Sequence, residues 1–151
     1  MRTFRGTDNC GNEIVDTQEI HIVDEVAPTF GNLPNAQITV QCNAVPAAAN
    51  VTISDNCDSN PTLNYNQTIT PGSCTDSYTI TRTWTGTDAC QNTRTFVQTI
   101  TVVDTTNPVL VGTPSANITV ECNAVPNPAN VTATDNCDTS VSVQYTQNRT
   151  N

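Results

Sequence analysis

Cysteine is the residue whose number and spacing in this sequence most strongly indicate chemistry. Seven cysteines occur among 151 residues. Such a density in a short chain is typical of disulfide bonding in an oxidising compartment. Zinc binding is the alternative, but the sequence contains no C-x-x-C pair and His21 is its single histidine. The cysteines therefore predict disulfides and an extracellular location.

Catalytic constellations are the next possibility, and the sequence argues against them. A Ser/His/Asp or Cys/His arrangement needs a histidine, and His21 alternates onto the strand face opposite Ile20 and Ile22, where solvent is expected. Paired carboxylates suit a glycosidase, but here the acids stand on turns that recur along the chain. We expect no enzymatic activity.

Charge and hydropathy exclude two further classes of function. The chain has 14 acidic and 5 basic residues, for a net charge of −9, and a polyanion such as a nucleic acid would be repelled. No apolar run approaches the roughly 20 residues that span a bilayer, so no membrane insertion is expected. The hydrophobic residues are mostly Val, Ile and Ala, among many Thr and Asn, and this mixture favours strands over helices.

The sequence matches itself at an offset of 80 residues. Residues 38–58 (ITVQCNAVPAAANVTISDNCD) correspond to residues 118–138 (ITVECNAVPNPANVTATDNCD), and residues 82–90 (RTWTGTDAC) correspond to residues 2–10 (RTFRGTDNC). A fixed period is the signature of a repeat architecture.

The register of the repeat predicts three segments. They are the C-terminal hairpin of one repeat, a complete repeat and the N-terminal part of a third, at residues 1–25, 26–105 and 106–151. On this interpretation the chain is a window of a longer tandem array.

Five strands are expected in the complete repeat from period-2 alternation and β-branched residues, at 37–42, 50–54, 62–69, 78–88 and 93–103. Ile80 and Trp84 share a face and are predicted to anchor the core. Arg82 lies on that same face, so it is expected at a sheet edge or beside an acid. The predicted fold class is all-β, with tandem antiparallel β-sandwich repeats that carry disulfides within each repeat.

Strand alternation constrains the cysteine pairing. Cys74 and Cys90 lie at opposite ends of strand 78–88, roughly 35 Å apart at about 3.3 Å per residue, which is far beyond disulfide reach. The preferred pairs are therefore Cys42–Cys74 at one end of the repeat and Cys57–Cys90 at the other. Sequence-neighbour pairing, 42–57 with 74–90, is the alternative. The partners of the remaining cysteines are expected outside the chain: Cys10, Cys122 and Cys137.

Calcium is the sharpest binding hypothesis. The exit of each repeat, at Asp24 or Asp104, is expected to abut the first loops of the next repeat, where several acids stand. Ca²⁺ takes six to eight hard oxygen ligands, and these junctions would supply carboxylates. The alternative is that the aspartates only cap loops through Asx turns. The candidate ligands are Asp24, Glu25, Asp55, Asp58, Asp88, Asp104, Asp135 and Asp138.

The run ITVQCNAVP…SDNCD…GSC…TITRTWTGTDACQN…QTITVVDTTNPV resembles the hyalin-repeat-like (HYR-like) four-cysteine modules. These occur in tandem in very large secreted proteins of Bacteroidota, including gliding-motility and surface adhesins. The resemblance implies an immunoglobulin-like sandwich, a cell-surface location and type IX secretion of the parent protein.

The predicted function is a structural stalk or filament segment of a large secreted cell-surface adhesin. Its expected partners are neighbouring repeats of the same polypeptide or filament. No cofactor is required, although Ca²⁺ at the repeat junctions is one prediction. Two alternatives stay open: a self-associating extracellular filament subunit, and a glycan-binding module. The low aromatic content, 5% of the residues, argues against glycan binding.

Overall fold

The computed structural model describes residues 1–148 of the chain. These residues form β-strands and one short 3₁₀ helix, η1, at Cys42–Ala44. The strands are β1 (Arg2–Thr7), β2 (Glu13–Gln18), β3 (Thr29–Gly31), β4 (Gln37–Gln41), β5 (Thr52–Ser54), β6 (Thr62–Pro71), β7 (Tyr78–Thr87), β8 (Thr93–Val103), β9 (Val109–Val111) and β10 (Thr132–Thr134). None of the helices in this described part is long and apolar enough to cross a membrane.

The largest sheet has four strands in the order β4-β8-β7-β6. The long strands β6, β7 and β8 pair antiparallel, and Trp84 stands opposite Tyr65 on one side and Phe96 on the other. All five predicted strands are present with bounds shifted by at most two residues. These strands are rich in the β-branched residues threonine, isoleucine and valine, which suit a pleated surface with one buried face.

One pairing corrects the expectation of purely antiparallel strands. The edge strand β4 lies parallel to β8, with Gln41 opposite Val103. The chain reaches this edge from β3 through residues 32–36, where Asn32 has φ 56°. Because β4 and β8 point the same way, both end on the same side of the sheet. From that shared end the chain continues into residues 104–108.

A second, smaller layer covers one face of the large sheet. It consists of β3 paired antiparallel with β5. The strand β3, three residues long, was not among the predicted strands. The two layers are in close contact at Gly86 of β7. A Cβ there would lie 2.5 Å from Ile53 Cδ1 and 3.0 Å from Phe30 Cε1. The two layers make the predicted immunoglobulin-like β-sandwich.

The core lies between these layers and follows the alternation of β7. Ile80 and Trp84 are 3% and 2% exposed, which confirms the predicted anchors. Ile100 and Val102 of β8 are fully buried beside Ile80. The Trp84 ring packs against Phe96 and Tyr65 with centroid distances of 5.9 and 5.3 Å. Tilted aromatic pairs of this kind add stability beyond the area they bury.

Arg82 occupies a different environment from either one predicted. It is only 4% exposed and lies on the central strand β7, so it is not at a sheet edge. Its guanidinium donates to the backbone oxygens of Pro46 (2.7 Å) and Ala47 (3.1 Å) and to Gln67 Oε1 (3.0 Å). No acid contacts it among the described residues. Two of these three hydrogen bonds hold the backbone of residues 46 and 47 over the core.

The flanking segments repeat the pairings of the middle one. In the β1–β2 hairpin Arg2 stands opposite Gln18, as Arg82 stands opposite Gln98, and β9–β10 pairs as β3–β5 does. Each correspondence keeps the 80-residue offset. The hairpin turns also agree, because Gly11 has φ 89° and Gln91 has φ 71°. The three-segment division stays a prediction, and these matching registers are in agreement with it.

Candidate functional site: two acidic clusters and a disulfide

The Asp-Asn-Cys-Asp loops are built by their first aspartate. Oδ1 of Asp55 accepts hydrogen bonds of 2.9 Å from the backbone N–H of both Cys57 and Asp58. Asp135 makes the same two bonds, to Cys137 at 2.8 Å and Asp138 at 3.1 Å. These backbone donors hold the pKa of both aspartates below the usual value. The Asx turns expected from the sequence are present in both loops.

The first acidic cluster joins three of the predicted ligands. Carboxylate oxygens of Asp24, Asp55 and Asp88 all lie within 4.8 Å of one another. Asp88 is 4% exposed, and its two oxygens accept from the backbone N and the Nδ2 of Asn92, each at 2.8 Å. Asn92 Nδ2 also donates to the backbone oxygen of Asp24 at 3.1 Å. One asparagine therefore holds the extended segment at residues 20–24, which follows β2, against the turn at 88–92.

The second cluster stands at the equivalent place, 80 residues later. Asp104 and Asp135 correspond to Asp24 and Asp55, and their carboxylates lie within 4.8 Å of each other and of the Sγ of Cys137. Oδ2 of Asp135 is buried without a hydrogen-bond partner in the described part of the chain, and so is Oδ2 of Asp55. Buried oxygens without donors are costly, so each cluster has an acceptor that a cation or a water would satisfy.

The other three predicted ligands lie outside these clusters. Asp58 uses its two oxygens on the backbone N–H groups of Asn60 and Ala89, both at 2.9 Å. Asp138 accepts from the backbone N–H of Ser140 at 2.8 Å. Glu25 is exposed and belongs to neither cluster. The hypothesis therefore narrows from eight candidate acids to five.

The disulfide overturns the predicted cysteine pairing. Cys42 is bonded to Cys137, 95 residues later, with the Cα atoms 5.8 Å apart. The predicted Cys42–Cys74 bond and the alternative Cys42–Cys57 bond are therefore wrong, and so is the expectation that Cys137 pairs outside the chain. The bond leaves the middle segment instead of closing within it.

The sheet order explains this result. Cys42 follows β4 at one edge of the sheet, whereas Cys74 lies between β6 and β7 at the other side, across β8. The exit of β8 is the immediate neighbour of Cys42, because Gln41 Nε2 donates to Thr105 Oγ1 at 2.6 Å. The short linker after Thr105 then brings the loop of Cys137 to the end of β4. A cysteine at this edge meets the next segment before it can reach Cys74.

Five cysteines are free and exposed in the part of the chain that is described: Cys10, Cys57, Cys74, Cys90 and Cys122. The predicted Cys57–Cys90 bond is therefore not formed. Both thiols nevertheless line one cleft of about 300 Å³ together with the segment Ile22 to Asp24, which follows β2. Desolvation raises the pKa of the Cys57 thiol, and the carboxylates of Asp24 and Asp55 raise it further.

His21 and Trp84 were also considered as candidate functional residues, and both lie where the sequence predicted. His21 is exposed, with Nε2 3.6 Å from Glu19 Oε1. Trp84 is buried, so it offers no surface for a sugar ring. Sequence reasoning missed Cys42–Cys137 although its signals were present. The 80-residue offset gives Cys137 the loop position of Cys57, and the exit at Asp104 was already expected beside Asp135.

Comparison with curated proteins and with solved structures finds no match. A family model does match part of the chain. Residues 30–102, the sandwich that contains β4 to β8 and four of the cysteines, match the HYR-like domain with 4 cysteines.

Proposed function

We propose that this chain is a segment of a rigid, extended stalk of a large secreted cell-surface adhesin, built from tandem sandwich repeats. The observation that carries the proposal is the disulfide from Cys42 to Cys137, which links the end of one sandwich to the first loops of the next segment. The HYR-like match supports an extracellular repeat module. We extend it, by resemblance, to Bacteroidota and type IX secretion, and we propose no catalytic role.

The disulfide suits a load-bearing stalk because it bypasses the linker. Without it, tension between two repeats would pass only through the peptide chain that follows Val103. With it, a second covalent path runs from β4 through Cys42 to Cys137. Gln41 braces the same joint, because its side chain bonds both the hydroxyl and the backbone N–H of Thr105, at 2.6 and 3.4 Å. Two attachment points restrict bending more than one does.

The shape of the chain in solution tests the stalk. A compact protein of this length has a radius of gyration of about 15 Å. Small-angle X-ray scattering of the oxidised full chain should give a clearly larger value, with a distance distribution typical of a rod. Reduction should broaden that distribution because the joint is then held by the linker alone. A radius near 15 Å in the oxidised chain would contradict the stalk.

We further propose that Ca²⁺ binds the acidic clusters and stiffens the joints. The first cluster brings three carboxylates and the second brings two within 4.8 Å of one another, and a divalent cation would screen their repulsion. The buried Oδ2 atoms of Asp55 and Asp135 offer acceptors with no protein donor among the described residues.

Calorimetric titration with Ca²⁺ tests this site. Asp55→Asn should weaken binding at the first cluster, whereas Asp58→Asn, a change in the same loop but outside the cluster, should leave binding intact. Chelation by EDTA should lower the melting temperature of the native chain. The proposal is refuted if the titration of the native chain shows no heat of Ca²⁺ binding and EDTA leaves the melting temperature unchanged. The aspartates would then serve only to cap the loops through Asx turns.

Self-association into a filament is a second candidate, favoured by the open edge of the large sheet. Strand β6 is ten residues long and exposes Tyr65 and Ile69, and within residues 1–148 it pairs only with β7. Long exposed edge strands pair readily with other chains. Sedimentation velocity should then show concentration-dependent association that Ile69→Lys abolishes. A single species at all concentrations would leave the stalk as the one function to consider.

A further inference from the structure

We propose that each junction between consecutive repeats is closed by two disulfides, of which Cys42–Cys137 is one. The second joins Cys74 of one repeat to the cysteine of the following repeat that corresponds to Cys90. This proposal rests on the tandem arrangement proposed above. It assigns partners to the positions of Cys74 and Cys90, which the observed bond does not use.

The first step is that Cys57 and Cys137 occupy equivalent loops. Beyond the aspartate bonds, Asn56 Nδ2 lies 3.0 Å from Cys57 Sγ, and Asn136 Nδ2 lies 3.0 Å from Cys137 Sγ. Since the loop of Cys137 receives Cys42, the identical loop of Cys57 is shaped to receive the cysteine that holds the position of Cys42 in a preceding repeat. Cys57 is then not available to Cys90.

The length of β7 excludes a disulfide between Cys74 and Cys90 of the same repeat. Cys74 precedes β7 and Cys90 follows it, and β7 is ten residues long. A strand of that length spans about 33 Å, whereas the Cα atoms of a disulfide lie at most about 7 Å apart. Cys74 and Cys90 of the same repeat therefore cannot meet. Their partners must come from neighbouring repeats.

The third step places Cys90 at a junction. It lines the same cleft as Cys57, and the segment Ile22 to Asp24 that follows β2 lines that cleft as well. The turn that carries Cys90 is fixed to this segment by the hydrogen bond from Asn92 to the backbone oxygen of Asp24. The thiol of Cys90 therefore faces the end of the preceding segment and not its own core.

The fourth step places the position of Cys74 at the same junction. Tyr78 pairs with Val102, and Cys74 lies in the loop that leads directly into Tyr78. Val102 corresponds to Ile22 at the 80-residue offset. In the repeat to which Ile22 belongs, the loop equivalent to that of Cys74 therefore ends beside Ile22, at the cleft that holds Cys90. The two sulfurs are brought to one place by the same register that produces Cys42–Cys137.

The chemistry needs an external oxidant, and a small-molecule disulfide of the glutathione type supplies it. The thiolate of one cysteine attacks that disulfide and releases one small thiol. The thiolate of the partner cysteine then attacks the mixed disulfide and releases the second. The protein loses two electrons and two protons, which leave in the two small thiols, and one S–S bond forms between the repeats.

The experiment extends the full chain by its own sequence. Residues 72–105 are appended after Asn151, which corresponds to Pro71, so the added residues complete the third repeat in register. The appended copy carries Thr93→Ser at an exposed position, so the peptide with its copy of Cys90 differs in mass from the native peptide. The protein is refolded with oxidised and reduced glutathione, alkylated, digested without reduction and mapped by mass spectrometry. We expect two linked peptide pairs, Cys42 with Cys137, and Cys74 with the appended copy of Cys90. In the unextended chain Cys74 should be fully alkylated.

The outcomes separate this proposal from the proposed function. If Cys42–Cys137 forms but Cys74 is still alkylated in the extended chain, the second disulfide is refuted and the stalk stands. A link between Cys74 and Cys90 of the same repeat, or from Cys90 to its own copy, also refutes it. If Cys42–Cys137 itself does not form, the stalk proposal fails first. Cys74→Ser in the extended chain should free the appended thiol and leave Cys42–Cys137 linked, whereas a lost Cys42–Cys137 link would contradict independent bonds.

Discussion

The sharpest consequence of the structure is that Cys42 and Cys122 should behave differently although they stand in the same sequence context. Cys42 is bonded to Cys137, whereas Cys122 is free. We therefore expect Cys42→Ser to destabilise the middle sandwich. The bond closes a loop of 95 residues, and a loop of that size restricts the unfolded chain by about 4.7 kcal/mol at 25 °C in the loop-entropy model.

Urea denaturation followed by Trp84 fluorescence measures this effect. The single tryptophan lies in the core, so its emission reports the unfolding of the sandwich. For a slope of about 2 kcal/mol per M urea, the loss of the bond should lower the midpoint by about 2 M. Cys122→Ser is the matched control and should leave the midpoint unchanged. Equal losses in the two variants, or a midpoint insensitive to reduction in the native chain, would refute the assigned bond.

Three further changes test the core and the loops, each by melting or denaturant unfolding. Gly86→Ala should destabilise the protein by about 1–3 kcal/mol because its Cβ overlaps the second layer, whereas Gly6→Ala, at the equivalent position of the exposed hairpin, should have little effect on Trp84 unfolding. Arg82→Met should cost about 3 kcal/mol, since buried carbonyl acceptors lose a charged donor, and Arg2→Met is its exposed counterpart. The pKa of Asp55 is lower in the folded protein than its usual value of 3.8, so the ionised carboxylate stabilises the fold. Stability should therefore fall as the pH decreases below about 4 and the carboxylate becomes protonated. Asp55→Asn should reduce this pH dependence.

Much of the fold follows from alternation in the sequence. In the long strands β6, β7 and β8 a face with apolar residues alternates with a face rich in threonine. The bounds of these strands were predicted to within two residues. Ile80 and Trp84 were assigned to the core for the same reason. The junctions were also predictable. Antiparallel strands alternate their ends, and this alternation predicts that Asp104 lies beside Asp135, as the structure shows.

The errors have one physical origin. Alternation shows which face a residue belongs to, but it does not show which strands are neighbours. Arg82 shares a face with Trp84, and only the fold shows that the 45–50 segment covers that face with carbonyls for the guanidinium. Likewise, nothing in the period of β4 places it parallel to β8 at an edge. That placement carries Cys42 away from Cys74 and towards Cys137.

The position of the disulfide compensates for the small size of the core. Among the described residues only five hydrophobic side chains are buried: Val51, Ile80, Trp84, Ile100 and Val102. Small domains bury a modest fraction of their surface and are marginally stable. A bond within a repeat would stabilise that repeat alone. A bond from Cys42 to Cys137 also ties the folding of one repeat to the first loops of the next, because the loop of Cys137 must be formed for the sulfurs to meet. In a tandem array this coupling makes each repeat depend on its neighbours, so stability should increase with copy number until the end repeats no longer dominate.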